Sequence, residues 1–544
     1  MIECRNCGGA VRFDIPSQKV VCDHCGSIYD PEEMGKERIA HEAGDGWGAE
    51  PQHAGGGEGN VHGKGDYEVT VFTCPQCGGE IISYQNEATE FCSYCGASVE
   101  LAGRMSKEQK PKYIVPFSVS REECIETYQQ HLKKLPFVPK EMKSEESQQK
   151  FCGIYMPFWL YQVHQKGPLH LDGTRVSGDY KEFCSLDTEI DTVYEKICYD
   201  ASSGFDDTLA QMVAPFSFDA VKEFNPAYLC GFYTDRADVD ASVYKDKAIG
   251  EAADRTIETL TGADSSFDGF EFEDEEKNRV PSTIECVESA LLPVWFLTWR
   301  TRDRVSYSVV NGTKSKVTAD IPIDRKMYLI FSAVIGVALA ALLYFLFPVI
   351  TPSQSVKITF LLAIAGLWMY QGNFHERMKM ETHEEDQGFS GETAYFQGKR
   401  KWKSESIISA IILAGAVVVW AVPEIGSSSL MASIGNLLLG HILTLLFMIA
   451  LLGEIWLHIR LFADYRLVQD RRMLRDTLPL PVASVCSVLL LMIRPSNDLF
   501  YYLATILTGV CLLLILLGMI GQYNDLATRP LPAFHNRKRG DGNV

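Results

Sequence analysis

The sequence lacks most of the signatures that would name a chemistry. Met1 runs straight to Cys4 with no basic stretch, apolar run or small-residue cleavage site, so no secretory signal is expected. Three Gly-Lys pairs, Gly35-Lys36, Gly63-Lys64 and Gly398-Lys399, all lack the Ser or Thr that would follow in a phosphate-cradling P-loop. Neither Gly-x-Ser-x-Gly nor His-Glu-x-x-His occurs, and His131, His164 and His170 stand without a nucleophile motif. The chain is therefore expected not to be an enzyme. An excess of basic charge is missing too. The net charge of −19 speaks against nucleic acid as a main partner, because phosphate binding needs clustered Lys and Arg.

A disulfide framework is the last absence. Eight of the sixteen cysteines (Cys124, Cys152, Cys184, Cys198, Cys230, Cys286, Cys486 and Cys511) follow no framework spacing. The other eight follow a strict one. A shift of 70 residues lays Cys4-x-x-Cys7-Gly8-Gly9 over Cys74-x-x-Cys77-Gly78-Gly79, and Cys22-x-x-Cys25-Gly26 over Cys92-x-x-Cys95-Gly96. Fourteen residues separate the two knuckles in each copy. Zinc takes four soft ligands in a tetrahedron, and two residues between cysteines let one tight turn present two thiolates. Glycine after the second cysteine supplies the positive φ that such a turn uses. Two zinc ribbons are expected, at 1–30 and 71–100, each holding one structural Zn2+ on Cys4, Cys7, Cys22 and Cys25 or on Cys74, Cys77, Cys92 and Cys95. Iron in the same S4 geometry is the chemical alternative. Four thiolates close the shell, so a catalytic zinc is not expected. Metal binding, at about 10–16 kcal/mol in comparable peptides, replaces the core that so small a ribbon cannot build.

His24 and Tyr94 occupy matching positions within the second knuckles, and His24 reads as an exposed turn residue. Residues 72–100 hold four Glu and no Lys or Arg, which favours docking to protein over nucleic acid. Between the ribbons, residues 31–70 read as a flexible linker, with nine glycines in the 22 residues of 44–65. His41, His53 and His62 fall there at irregular spacing.

Residues 101–326 alternate strand and helix signals and read as an α+β domain. Ser120, with Glu123 three residues on, opens an amphipathic helix over 119–135. Val305, Tyr307 and Val309 alternate before Asn311-Gly312, and Val317, Ala319 and Ile321 alternate after it, as in a hairpin. The aromatics Tyr155, Phe158, Trp159 and Tyr161 read as a buried core strand, and the acidic run 268–276 as a solvated loop.

Five stretches of this region are similar to a bacterial family of membrane-anchored TFIIB-type zinc-ribbon proteins. They are Tyr113-Ile114-Val115-Pro116-Phe117, Gly153 to Leu160, Phe224 to Leu229, Leu292-Pro293-Val294-Trp295 and the Asn311-Gly312 turn before Ile321-Pro322, together spanning about 72–325. The resemblance implies an accessory protein of the bacterial cell membrane that recruits phage-shock-type or SPFH-domain envelope-stress proteins. Some members carry a primosomal helicase label, which a chain without a P-loop does not support. The extra N-terminal ribbon and a longer membrane region depart from the family pattern.

Six apolar segments follow, at about 327–348, 353–372, 405–423, 430–459, 480–494 and 499–521, and read as a polytopic all-α membrane domain. The first two form a hairpin (327–372), a loop follows at 373–404, four segments occupy 405–521 and a basic tail ends the chain at 522–544. Segment 480–494 is short and bounded by Pro479, Pro481 and Pro495, consistent with half of a re-entrant hairpin. Arg and Lys concentrate in 373–404, 460–480 and the tail, so six crossings place both termini and both ribbons in the cytoplasm. Asn436, His441, Glu454 and His458 lie in the fourth segment. The expectation is a zinc-binding membrane scaffold with cytoplasmic protein partners. The alternatives are a transporter or lipid-handling protein governed by its ribbons, and a membrane-tethered nucleic-acid factor.

Overall fold

The computed structural model describes residues 2–34, 65–84, 92–98, 102–177, 180–262, 271–272, 279–346, 351–381, 386–388, 451–459, 471–532 and 534. Most of the linker, the loop 389–404, segment 405–423, most of segment 430–459 with Asn436 and His441, nearly all of the acidic run and the last ten residues lie outside them.

The first ribbon is a three-stranded antiparallel sheet of β1 (Val11–Asp14), β2 (Lys19–Cys22) and β3 (Ile28–Tyr29). All other strands join one 13-stranded mixed sheet. In chain order these begin with β4 (Asp66–Thr73), β5 (Glu80–Ser83), β6 (Ala102–Gln109), β7 (Tyr113–Ile114), β8 (Cys152–Ser177) and β9 (Tyr180–Asp200). They continue with β10 (Lys222–Glu223), β11 (Tyr233–Thr234), β12 (Glu271–Phe272), β13 (Ser282–Thr301), β14 (Arg304–Asn311), β15 (Val317–Ala319) and β16 (Arg529–Pro530). Along the sheet the order is β10-β7-β13-β8-β11-β5-β4-β6. The second ribbon contributes β4 and β5, and β11 stitches β5 to β8. It is thus part of the α+β domain's own sheet and not a separate bead.

Helix α1 (Arg121–Lys134) starts where the capping signal puts it, with the Ser120 side chain accepting from the Glu123 N–H at 3.2 Å. Its buried stripe of Cys124, Tyr128 and Leu132 packs on one sheet face, in a core that also takes Val11, Phe13 and Val20 of the first ribbon. The other face is covered by helix α2 (Asp207–Val213), in a core with Phe158, Leu160, Val305, Tyr307 and Val309. The sheet is covered on both faces here, and so the alternation expected of β14 disappears: Ser306 and Ser308 are as buried as Val305 and Val309. The hairpin forms, but its loop is longer than the two-residue turn the sequence implied. Asn311 N–H donates to the Lys316 carbonyl, and the Asn311 side chain accepts from Thr313 and Lys314. Tyr155, Phe158, Trp159 and Tyr161 are core residues of β8. A third helix, α3 (Lys245–Gly262), packs on the long strands through Ala248, Ala252 and Ala253.

The chain then becomes helical in α4 (Arg325–Leu346), α5 (Pro352–Glu381), α6 (Arg471–Thr477), α7 (Pro479–Ile493) and α8 (Leu499–Leu526). Among the described residues three helical stretches are long and apolar enough to cross a membrane: Arg325–Leu342, Arg472–Ile493 and Leu499–Leu526. Six are not seen. Segments 405–423 and 430–459 fall wholly or mostly outside the described residues, and the expected crossing 353–372 lies in α5, which is not among the three. Segment 480–494 is longer than its apolar core implied, because helix resumes on the far side of Leu478 and runs back to Arg471. Pro479 and Pro481 sit in the first turn of α7, where a missing N–H leaves no bond unmade.

Candidate metal centres

All eight knuckle cysteines come together in two groups of four, with the sulfur atoms of each group within 4.8 Å of one another. Four copies of one turn build them. In each, the first cysteine's carbonyl accepts from a glycine four residues on, namely Gly8, Gly26, Gly78 or Gly96, at 2.8–3.0 Å. Those glycines all have φ between 65° and 78°, where a β-carbon is strained. The first cysteine's N–H then donates at 2.9 Å to the carbonyl of Gly9, Ser27, Gly79 or Ala97. This is what the Cys-x-x-Cys-Gly pattern encodes.

The sulfur spacing fits a metal. A Zn–S bond of about 2.3 Å gives a tetrahedron with edges of about 3.8 Å. In the second centre Cys74 and Cys95 lie 3.8 Å apart and Cys77 and Cys92 3.7 Å. The first centre is slightly tighter, with both Cys4–Cys25 and Cys7–Cys22 at 3.5 Å. Hydroxyls stand ready to donate to thiolates there, Tyr29 to Cys4 and Ser27 to Cys25, both at 3.1 Å.

The two centres differ in their surroundings. At the first, Cys4 and Cys22 are buried while Cys7 and Cys25 face solvent, and His24 is exposed as expected. The ribbon is nonetheless fixed in place. Phe13 stacks edge-on against Tyr228, its N–H donates to the Cys230 carbonyl at 2.9 Å, and Gln18 reaches the Phe117 carbonyl at 2.8 Å. Phe117, Tyr155, Tyr228 and Trp295 share the core against which this ribbon docks.

At the second centre all four cysteines are buried. Tyr94, the counterpart of His24, is 8 % exposed, and its hydroxyl donates to the Asp235 carboxylate. Ser202 donates to the other carboxylate oxygen at 2.5 Å. Burial nevertheless pushes the Asp235 carboxyl up to about 6. Tyr307 donates to the Tyr94 carbonyl at 2.7 Å and Thr298 to the Ser93 carbonyl. The roof comes from the far end of the chain. After α8, strand β16 pairs with β14, Leu531 and Phe534 pack into the cysteine cluster, and the Phe534 N–H donates to the Cys77 carbonyl at 2.7 Å. Phe534 lies edge-on to Tyr94, with ring centroids 5.1 Å apart. Gly79 is what lets them close, since a β-carbon there would sit 2.6 Å from the Tyr94 ring. Neither Asp235 nor Phe534 was singled out from sequence. The one legible signal was the swap of a polar His24 for an aromatic Tyr94 at matched positions.

Among the described residues, His131, His164 and His170 do not converge on these centres. His164 pairs with Asp191 at 2.7 Å and Glu285 at 2.8 Å, His170 with Asp187 at 2.6 Å, and His131 lies near the end of α1.

What fold and centres define is a mixed-sheet domain bearing two four-cysteine centres and continuing into apolar helices. The chain is 26% identical over 351 residues to the uncharacterized protein YdjG of Bacillus subtilis (strain 168), an alignment that covers 95% of that protein and 62% of this one. More than a third of this chain lies outside that alignment. No protein-family description matches the sequence, and no solved structure matches it.

Proposed function

We propose that this protein is a zinc-binding integral membrane scaffold that gathers protein partners at the cytoplasmic membrane face, in envelope stress. The observation that carries the proposal is the roof of the second centre. A metal site closed by the segment that leaves the last apolar helix is a structural joint between a soluble domain and a membrane module. Closed S4 shells favour a structural ion over a catalytic one, and the proposed ion is Zn2+. Six crossings with both termini in the cytoplasm keep all eight thiols in a reducing compartment.

The burial of the two ribbons supports one docking surface for a partner over the other. The second ribbon is spent on internal packing, so the partner surface is the solvent-facing edge of the first, around Asn6, Cys7, Asp23, His24 and Cys25. The partners implied by the family resemblance are SPFH-domain or phage-shock-type proteins. The test is purification of the intact protein from membranes with its bound partners, and metal analysis of the same sample. Zinc at two ions per chain is expected, with the partner released from the membrane when Cys4 and Cys7 are replaced by Ser. Unchanged partner localisation in that variant, or iron in place of zinc, contradicts the corresponding part of the proposal.

A further inference from the structure

Among the described residues of the helical module, one buried carboxylate has no hydrogen-bond partner. Glu454, in the helical stretch 451–459, has no solvent-exposed surface, and neither of its side-chain oxygens makes a hydrogen bond. The Ser484 hydroxyl of α7 lies beside it without closing a hydrogen bond and is itself fully buried and unpaired. Around them are apolar cores built from Phe360, Ile364, Leu451 and Val488 on one side and Leu457, Ala483 and Ile515 on the other. An ionised carboxylate without a counter-charge in such a setting costs several kcal/mol, so a polar group is kept there only with a bound cation or proton.

A second observation points to what it binds. The buried face of α8 carries Asp525, Gln522, Cys511 and Thr508 alongside the apolar Ile515 and Ala504. From the end near the soluble domain it presents Asp525 and then Gln522, whose two side-chain heteroatoms are buried and unpaired. Next comes Gly518, whose missing side chain makes room for the buried Asp476 carboxylate. Past Ile515 lie Cys511 and Thr508, the latter 3.1 Å from the Ser487 hydroxyl. Thr505, 3.0 Å from Ser355, ends the row. One turn from Glu454, His458 has each ring nitrogen 3.0 Å from a carbonyl oxygen, those of Glu454 and Thr477. Among the described residues, the titratable side chains in this core include Cys511 on α8, Asp476 in α6, Tyr370 on α5 and His458 on the same helix as Glu454.

We propose that Glu454 is a proton-binding site within the membrane, exchanging its proton with water on the soluble-domain side along the polar residues of α8. Among the described residues there are hydroxyls and amides along this row but no ring of oxygens around Glu454 that would replace the shell of a metal cation, which favours the proton. A proton arriving from the Asp525 end converts the carboxylate to a neutral carboxyl, and the reverse step returns it. This rests on the membrane reading above but not on the scaffold role.

The test uses the full-length protein in sealed membrane vesicles of known orientation. An apolar carbodiimide adds to protonated carboxyls, and mass spectrometry reads the adduct at Glu454, with Glu454→Gln as the blank. Labelling is expected to fall when pH is raised on the soluble-domain side alone and to ignore pH on the other side. Absence of labelling at every pH, labelling that follows the opposite side, or protection by sodium at constant pH would overturn the proposal. Because the readout is taken on the wild-type chain, a variant that fails to fold cannot decide it. Partner localisation is not measured, so failure here leaves the scaffold reading standing.

Discussion

At the scale of single residues, Asp235 shows how the second centre differs from the first. Its carboxyl is buried under Tyr94 and receives hydrogen bonds from Tyr94 and Ser202, yet burial outweighs them and lifts it to about 6. The unfolded value is about 3.9, so the folded state holds the proton more tightly than the unfolded one. Stability from this group is therefore full below about pH 4 and is lost as pH rises towards 6, by on the order of 3 kcal/mol. Asp235→Asn removes that dependence. Relative to wild type, the variant is expected to gain stability between pH 4 and 6, read as the difference between the two thermal midpoints across that range. A constant difference would show that the carboxyl titrates normally.

Elements show where local sequence signals suffice and where they fail. The knuckles and α1 were legible because their causes are local: positive-φ glycines at fixed offsets, and a Ser hydroxyl three residues before the N–H it caps. The roof over the second centre was not legible. Residues 529–534 read as basic tail, and only pairing with β14, more than 200 residues earlier, turns them into strand and lid. Phe534→Ala removes the aromatic half of that lid, with a loss of about 1.5 kcal/mol of apolar contact. Metal at Cys74, Cys77, Cys92 and Cys95 should then pass to a chelator roughly tenfold faster, while the first centre is unchanged. A thiol-reactive probe that distinguishes the two centres measures this, and equal acceleration at both would contradict the role given to Phe534.

At the scale of the whole molecule, one half-buried arginine joins the sheet to the helices. Arg304 of β14 pairs with Glu381 at the end of α5 at 3.0 Å and donates to the carbonyls of Asp525 and Thr528 at 2.6 and 2.7 Å. Arg377 pairs with Glu381 at 3.0 Å and with Asp525 at 3.1 Å, and Arg529 bridges Asp206 and Asp320. Removing one member of such a network leaves buried carboxylate and carbonyl groups short of a donor, which costs about 3 kcal/mol. Arg304→Ala is expected to let protease cut between the soluble domain and the helices under conditions where wild type resists. Arg304→Lys should restore only part of the protection, because an ammonium cannot reproduce the guanidinium fork. Protection equal to wild type in the Ala variant would place the joint elsewhere.

The sequence by itself determined the two metal-binding patterns, the helix starts, the apolar runs and the acidic character of the chain. Each follows from spacing or composition within a few residues, and short-range chemistry is enough to read it. Tertiary structure decided the rest. It made the second ribbon part of the main sheet, fixed the first on Phe117, Tyr228 and Cys230, and brought the C-terminal segment back over Cys77. Among the described residues it also left Glu454 without a hydrogen-bond partner in an apolar setting. These are contacts between residues far apart in the chain, where burial and pairing depend on which surfaces meet and no local pattern carries the information.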